Sequence, residues 1–272
     1  MKKLLQTTTV LAIFAAIGSA AAADLPPAPS YKAPPPATVV YGWTGFYAGV
    51  NGGYGWDHSS AAFSGSPNIA IEFTAGVLPT SLSPDPKGWL AGGQVGYNWQ
   101  FAPAWLAGLE TDLDGAGIKG SASVSPTSSG FPDLFTTTIS ASTKWIGTTR
   151  ARLGYLPTSG ILLYGTGGVA YGETQVGFNT SEFTFGGNCL AGLRCATASV
   201  SSVKAGWTVG GGIEGMIAPN WTVKAEYLYV DLGSQSVSAT PIGVAPGAIT
   251  LTASHTFLEN IVRVGVNYKF GG

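Results

Sequence analysis

The chain has 272 residues, and only 10% of them are charged, against about 25% in an ordinary soluble domain. With a formal net charge of −1 it lacks the basic surface of a nucleic-acid-binding protein, and two cysteines are too few for a disulfide scaffold. Positive mean hydropathy and abundant glycine favour a membrane protein or an unusually apolar β protein.

The first residues are typical of an export signal. Lys2 and Lys3 precede an apolar run, and small residues follow up to a cleavage site at Ala21-x-Ala23. We therefore predict a signal peptide over residues 1–23 and an exported protein. Residues 24–40 contain six prolines, which predicts an extended tether without a packed core.

The remaining chain has the period of β-strands. No window offers the roughly 20 apolar residues, free of turn signals, that a membrane-spanning helix needs. The last segment alternates between an apolar and a polar face: Val262, Val264, Val266, Tyr268 and Phe270 against Arg263, Gly265, Asn267 and Lys269. This alternation predicts a strand whose two faces meet different surroundings.

Eight such segments follow one another, at about residues 43–56, 88–101, 105–115, 137–156, 161–178, 203–218, 221–233 and 256–270. Short connectors at 102–104, 157–160 and 218–220 alternate with long ones at about 57–87, 116–136, 179–202 and 234–255. We predict an all-β fold over residues 41–272, an eight-stranded antiparallel up-and-down transmembrane β-barrel with one tight rim and one looped rim.

Aromatic spacing supports a membrane barrel over a soluble β-sandwich. Three aromatic pairs share a strand face at ten positions' separation: Phe46 with Trp56, Trp89 with Trp99, and Trp145 with Tyr155. Ten tilted strand residues cover about 25 Å, the height of the apolar band in outer-membrane barrels. The spacing therefore predicts two aromatic girdles at the membrane interfaces.

Several stretches resemble a known family. They are residues 42–49 (GWTGFYAG), 148–155 (TTRARLGY), 163–172 (LYGTGGVAYG) and the last strand. The chain resembles the alphaproteobacterial outer-membrane β-barrel family of RopB-like rhizobial and brucella surface proteins, which is related in fold to the OmpA transmembrane barrel and the opacity proteins.

The resemblance implies one barrel in the outer membrane of a Gram-negative cell, with both termini and the Pro-rich tether in the periplasm. Its implied partners are outer-membrane lipid, lipopolysaccharide and, during biogenesis, the barrel-assembly machinery. The assembly signal that this machinery reads would comprise Arg263, Gly265, Tyr268 and Phe270, although Gly271 and Gly272 follow the aromatic end.

Charged residues on the inferred inner faces predict a filled lumen. An eight-stranded barrel is just wide enough for side chains to fill it. The charges of both signs are Glu110, Asp112, Glu214 and Glu226 with Arg150, Arg152, Lys224 and Arg263. We predict a salt-bridged plug, because charges in so narrow a space must be paired. A small gated conductance is the alternative.

Candidates for chemistry are few. Ser254, His255 and Glu259 could form a triad, but adjacent strand residues point to opposite faces, and we predict no enzyme, cofactor or metal site. Haemin binding through His58 and His255 stays open. Cys189 and Cys195 lie six positions apart, and an oxidising compartment favours a local disulfide between them.

These features predict a structural, surface-exposed outer-membrane protein that supports envelope integrity and has four extracellular loops. The alternatives are a narrow porin for small solutes and a protein that binds haemin or a host surface through its loops. A nucleic-acid partner is not expected, and the sequence indicates no particular loop partner.

Overall fold

The computed structural model describes residues 42–74, 76–125, 134–183, 195–242, 245 and 247–271. The predicted signal peptide and tether lie outside these residues and stay predictions. Within the described ranges, no helix is long and apolar enough to cross a membrane, a finding that does not bear on β-barrels.

In the described part of the chain, ten strands form one antiparallel sheet, and eight of them close into a ring. The strands are β1 (Gly45–Trp56), β2 (Ala61–Gly65), β3 (Ser81–Leu82), β4 (Lys87–Ala102), β5 (Trp105–Val124), β6 (Leu134–Thr158), β7 (Ile161–Phe183), β8 (Ala196–Ala218), β9 (Trp221–Ala239) and β10 (Leu251–Lys269). All except β2 and β3 belong to the ring, which closes where β1 pairs with β10. The predicted eight-stranded up-and-down barrel is confirmed.

The two ends of the barrel differ. At one end, termed the turn end, two-residue turns at 103–104, 159–160 and 219–220 join successive strands, as the short connectors predicted. At the opposite end, termed the loop end, the connection from β1 to β4 contains β2, a 3-10 turn (Pro67–Ile69), the short helix α1 (Ala70–Thr74) and β3. β2 pairs with residues 251–254 of β10, where β1 has ended.

Three of the four predicted long connectors were wrong in extent, because strands of the ring continue into them, whereas the first matches the end of β1 and the start of β4. β5 reaches Val124, β8 begins at Ala196 and β10 begins at Leu251. β6 has 25 residues, whereas about 9–11 are enough to cross a bilayer. The barrel wall therefore extends well beyond the membrane at the loop end.

A change of polarity along each long strand explains the error. In the turn-end half of β10 the outward side chains are apolar, such as Val264, and the inward ones are polar, such as Arg263. In the loop-end half the pattern is reversed, with Leu251 and Phe257 buried inside and Thr252 outside. A search for an apolar outer face therefore ends each strand too early.

At the loop end, the backbone pairing between β8 and β9 is incomplete, and we call this gap the seam. Their backbone register stops at Trp207 and Asp231, so residues 196–206 and 232–239 are not paired with each other. Two side chains bridge the seam. Lys204 Nζ donates to the carbonyl oxygen of Ser234 at 2.9 Å, and Gln235 Nε2 donates to that of Val200 at 3.0 Å.

Candidate functional site in the barrel lumen

The lumen contains a dense network of charged side chains. The structure brings together all eight residues of the predicted plug from five different strands, and each is at most 4% exposed. They are Glu110 and Asp112 on β5, Arg150 and Arg152 on β6, Glu214 on β8, Lys224 and Glu226 on β9, and Arg263 on β10.

Arg150 is the first of two guanidinium groups that link several carboxylates. Its Nη2 lies 2.6 Å from Glu110 Oε1 and 2.9 Å from Asp112 Oδ2. Its Nη1 lies 2.9 Å from Glu226 Oε2 on the far side of the lumen. One fully buried cation thus ties β6 to both β5 and β9.

Arg263 is the second. Its Nε lies 2.8 Å from Glu226 Oε1, and its Nη2 lies 2.8 Å from Asp112 Oδ2. Its Nη1 contacts Asp114 Oδ2 at 2.8 Å, a partner that the sequence analysis missed. Asp114 shares the inward face of β5 with Glu110 and Asp112, so the period of two was the signal that would have found it.

Lys224 and Arg152 complete the cations of the network. Lys224 Nζ lies 2.8 Å and 2.9 Å from the two oxygens of Glu110. Arg152 Nη1 lies 3.0 Å from Glu214 Oε2, and its guanidinium covers the rings of Tyr47 and Tyr164. Four buried cations therefore face five buried carboxylates, and each cation contacts at least one of them at 3.0 Å or less.

Neutral side chains add hydrogen bonds to two of the carboxylates. The hydroxyl of Tyr47 donates to Glu110 Oε2 at 2.7 Å, and that of Tyr164 donates to Glu226 Oε2 at 3.1 Å. Gly96 on β4 makes room for the Tyr47 ring, because a Cβ at this glycine would lie 2.3 Å from Tyr47 Cζ. Part of the high glycine content therefore leaves space for the network.

Apolar layers lie on both sides of the network. At the turn end, Trp43, Leu106, Leu156, Leu162 and Tyr164 form a buried cluster. The Trp43 indole donates to the carbonyl oxygen of Ser159 at 3.0 Å. At the loop end, the inward face of β9 continues from Glu226 to Leu228 and Val230, which belong to a larger apolar core. The charges thus lie between two apolar layers.

The histidines occupy different surroundings. His255 is buried on the inner face of β10, where Nε2 lies 3.3 Å from Asp57 Oδ2, whereas His58 is exposed and lies 3.7 Å from Asp85. Ser254 is on the outer face, within 3.1 Å of the Ser236 hydroxyl, so it cannot join His255 in a triad. Any ligand of both histidines would have to reach a side chain that is 1% exposed.

Glu259 lies on the same inner face as His255 and is completely buried. Its Oε1 accepts a hydrogen bond from Thr143 at 2.8 Å, and its Oε2 has no partner within the described ranges. Among the residues that the structure describes, no group of three His, Cys, Asp or Glu side chains could hold a metal ion.

Two further groups of predicted residues have structural positions. Cys195 is buried, but Cys189 lies outside the described residues, so the disulfide stays a prediction. In the predicted assembly signal, Arg263 and Gly265 face the lumen, whereas Tyr268 and Phe270 face outward with their rings 5.1 Å apart.

Comparison with known proteins gives concordant results. A family model described as the outer membrane protein beta-barrel domain matches residues 9–270. The chain is 37% identical over 269 residues to the 31 kDa outer-membrane immunogenic protein of Brucella melitensis, covering 96% of this chain and 97% of the relative. It is 29% identical over 181 residues to the 22 kDa outer membrane protein of Rhizobium leguminosarum, covering 66% of each chain.

A solved structure is also similar. The outer membrane protein OprG from Pseudomonas aeruginosa aligns with 86% of this chain and 100% of its own, at 15% identity and a TM-score of 0.45.

Proposed function

Since the chain belongs to the family of outer membrane protein beta-barrel domains and is located in the outer membrane of a Gram-negative cell, we propose that it is a closed, non-conducting barrel. Its role is structural: the barrel supports envelope integrity and holds its loop-end half at the cell surface. Catalysis is not part of this role.

The layered lumen carries the proposal. An ion crossing the barrel would have to break the contacts of Arg150 and Arg263, which are 1% and 2% exposed. It would then meet an apolar layer on either side of the network, where moving a bare charge out of water is unfavourable. A static plug explains both features, whereas a narrow porin needs a continuous hydrated path.

Planar-bilayer recording of the refolded full-length mature protein tests whether the lumen is closed to ions. We expect no stable conductance steps from the wild type, whose folded state is checked by heat-modifiable gel migration. A matched sample of a known general porin establishes that insertion is detected. Stable steps from folded protein would establish the porin alternative and overturn the proposal.

The proposed orientation places the loop end outside the cell. The outward side chains of this half are hydroxyl-rich, as in the pairs Ser236 with Ser254 and Ser238 with Thr252, which suits an aqueous and saccharide layer. The Brucella relatives are named immunogenic proteins, which is in keeping with an exposed surface.

Epitope insertion tests this orientation. A tag after Gly247, at the loop end, should be detected by antibody on intact cells. A tag after Gly160, at the turn end, should be detected only after permeabilisation. The reverse result would invert the proposed orientation. A deletion strain should be more sensitive to detergent than its complemented parent, and equal sensitivity would contradict the envelope role.

A further inference from the structure

Two lysines with like charge face each other on the outer wall. Lys87 begins β4, Lys119 lies on β5, and the two residues are direct cross-strand partners. Both side chains are exposed on the outer face that also carries Trp89. Directly opposed like charges destabilise a strand pair. The arrangement is therefore unfavourable unless an anion lies between the two ammonium groups.

None of the described residues supplies such an anion. Across the described part of the chain, neither Lys87 nor Lys119 contacts a carboxylate. Asp85, only two residues from Lys87, lies against His58 instead. By contrast, the nearby Lys144 is neutralised by Glu173, with Nζ 2.7 Å from Oε1. A carboxylate of the protein thus compensates Lys144, whereas no described carboxylate compensates Lys87 or Lys119.

Close packing fixes the position of this pair. A Cβ on Gly117 would lie 2.6 Å from the Trp89 indole nitrogen, so the indole covers this glycine. A Cβ on Gly120 would lie 2.2 Å from the carbonyl oxygen of Pro84, so the segment before β4 packs on β5. Trp89 lies in the predicted loop-end aromatic girdle, and such residues lie at headgroup level. The lysines come directly beyond that level.

A polar groove adjoins Lys119. It has a volume of about 470 Å³ and is lined by Lys119, Gly120, Ser121, Ser140, Ala141, Ser142 and Gln175. Serine hydroxyls and a glutamine amide can donate to and accept from the hydroxyl groups of a sugar. The ammonium pair and the groove together offer partners for a phosphate and for a sugar next to it.

We propose that Lys87 and Lys119 bind a phosphate group of a phosphorylated glycolipid in the outer leaflet, with a neighbouring sugar of that lipid in the groove. The height beyond Trp89 favours a lipid over a soluble anion, because lipid phosphates are concentrated at this level. Charge-assisted contacts to a phosphate offset the repulsion between the lysines. This inference rests on the proposed orientation of the loop end.

Titration of the refolded full-length mature protein with bisphosphorylated lipid A, followed by native mass spectrometry, tests the site. We expect the double variant Lys87→Gln/Lys119→Gln to bind at least tenfold more weakly than the wild type. Lys144→Gln, which removes a lysine that is already paired, should bind within twofold of the wild type. Dephosphorylated lipid A should bind the wild type as weakly as lipid A binds the double variant.

A charge reversal separates binding from folding. Lys119→Glu should pair with Lys87, melt at an equal or higher temperature in lipid-free detergent, and still lose the lipid. Equal lipid binding by the wild type and the double variant would overturn the proposal. Competition by millimolar inorganic phosphate would also overturn it, since the site would then hold a free anion. This assay does not depend on orientation, so epitope insertion at Gly247 and Gly160 tests the leaflet separately.

Discussion

Arg150 and Glu226 are 76 positions apart in the chain, yet Nη1 of the arginine donates to Oε2 of the glutamate at 2.9 Å. Both side chains are completely buried. The contact crosses the lumen between β6 and β9, which are not neighbours in the sheet. It therefore braces the barrel across its diameter, in addition to the backbone pairing around the wall.

Removing that brace should be costly. Arg150→Met leaves Glu110, Asp112 and Glu226 without one cation, and we expect a loss of about 3–5 kcal/mol in the free energy of unfolding. Urea titration with gel migration as the readout measures the loss. Lys144→Met, which breaks an exposed ion pair, is the matched control and should change little. Equal effects of the two substitutions would contradict a stabilising network.

The turn-end apolar layer should stabilise the fold, but it should not be needed to keep the lumen closed to ions. Trp43 is 1% exposed, so Trp43→Ala should cost about 3–5 kcal/mol in the same unfolding assay. Conductance should remain absent, because the charged network and the loop-end core still block the lumen. Trp99→Ala, on the outer face at 60% exposure, should cost less. Conductance steps from Trp43→Ala would show that this layer alone seals the barrel.

Asp57 should give the loop end an acid-sensitive contribution. The residue follows β1 and lies outside the membrane-spanning segments. Burial acts to raise its pKa, but contacts with His255, Ser59 and Leu258 outweigh burial and hold the pKa below its usual range. A lowered pKa means that the contribution is present at neutral pH and is lost as the pH falls from about 4 through the folded-state pKa.

Urea unfolding between pH 7 and pH 3 tests the role of Asp57. Asp57→Asn should be less stable than the wild type by about 1–3 kcal/mol at pH 7, since the buried oxygens lose their charge-assisted hydrogen bonds. The difference should shrink below pH 4. A difference that stays constant down to pH 3 would show that ionisation of Asp57 is not involved.

The seam between β8 and β9 should open when its two bridges are removed. We expect Lys204→Met/Gln235→Ala to accelerate amide hydrogen exchange in residues 196–206 and 232–239, because these two side chains bridge the unpaired edges. Exchange in the paired turn-end halves should not change. The control is the single variant Lys204→Arg, which retains a donor at position 204 and leaves Gln235 unchanged. Unchanged exchange in the double variant would show that the bridges do not hold the seam.

The barrel itself could be predicted because its signals are local. Alternation over residues 262–270 shows which side chains share a face, and the same period gives eight charged residues that lie in the lumen of the structure, although it was not applied to Asp114. Tight turns are equally local, so the short connectors predicted at 102–104, 157–160 and 218–220 contain the two-residue turns of the structure.

The loop end depends on distant contacts and was therefore missed. β2 is placed by its pairing with residues 251–254, nearly 200 positions along the chain, and neither partner has a local signal for the other. The strand ends were placed too early because the apolar face moves inside the barrel. Gln235 was not identified because its partner across the seam is a backbone carbonyl, which leaves no mark in the side-chain pattern.

The reversal of polarity along β10 has a consequence for how the barrel is made. On such a strand the apolar side chains lie on the outer face in the turn-end half and on the inner face in the loop-end half. Neither face is therefore apolar along its whole length. An open sheet of such strands would expose apolar side chains on both of its surfaces, so partial assembly in the periplasm offers little relief from aggregation. Ring closure inside the membrane buries the inner and the outer apolar side chains together, so we expect closure of the ring and insertion to be coupled for this chain.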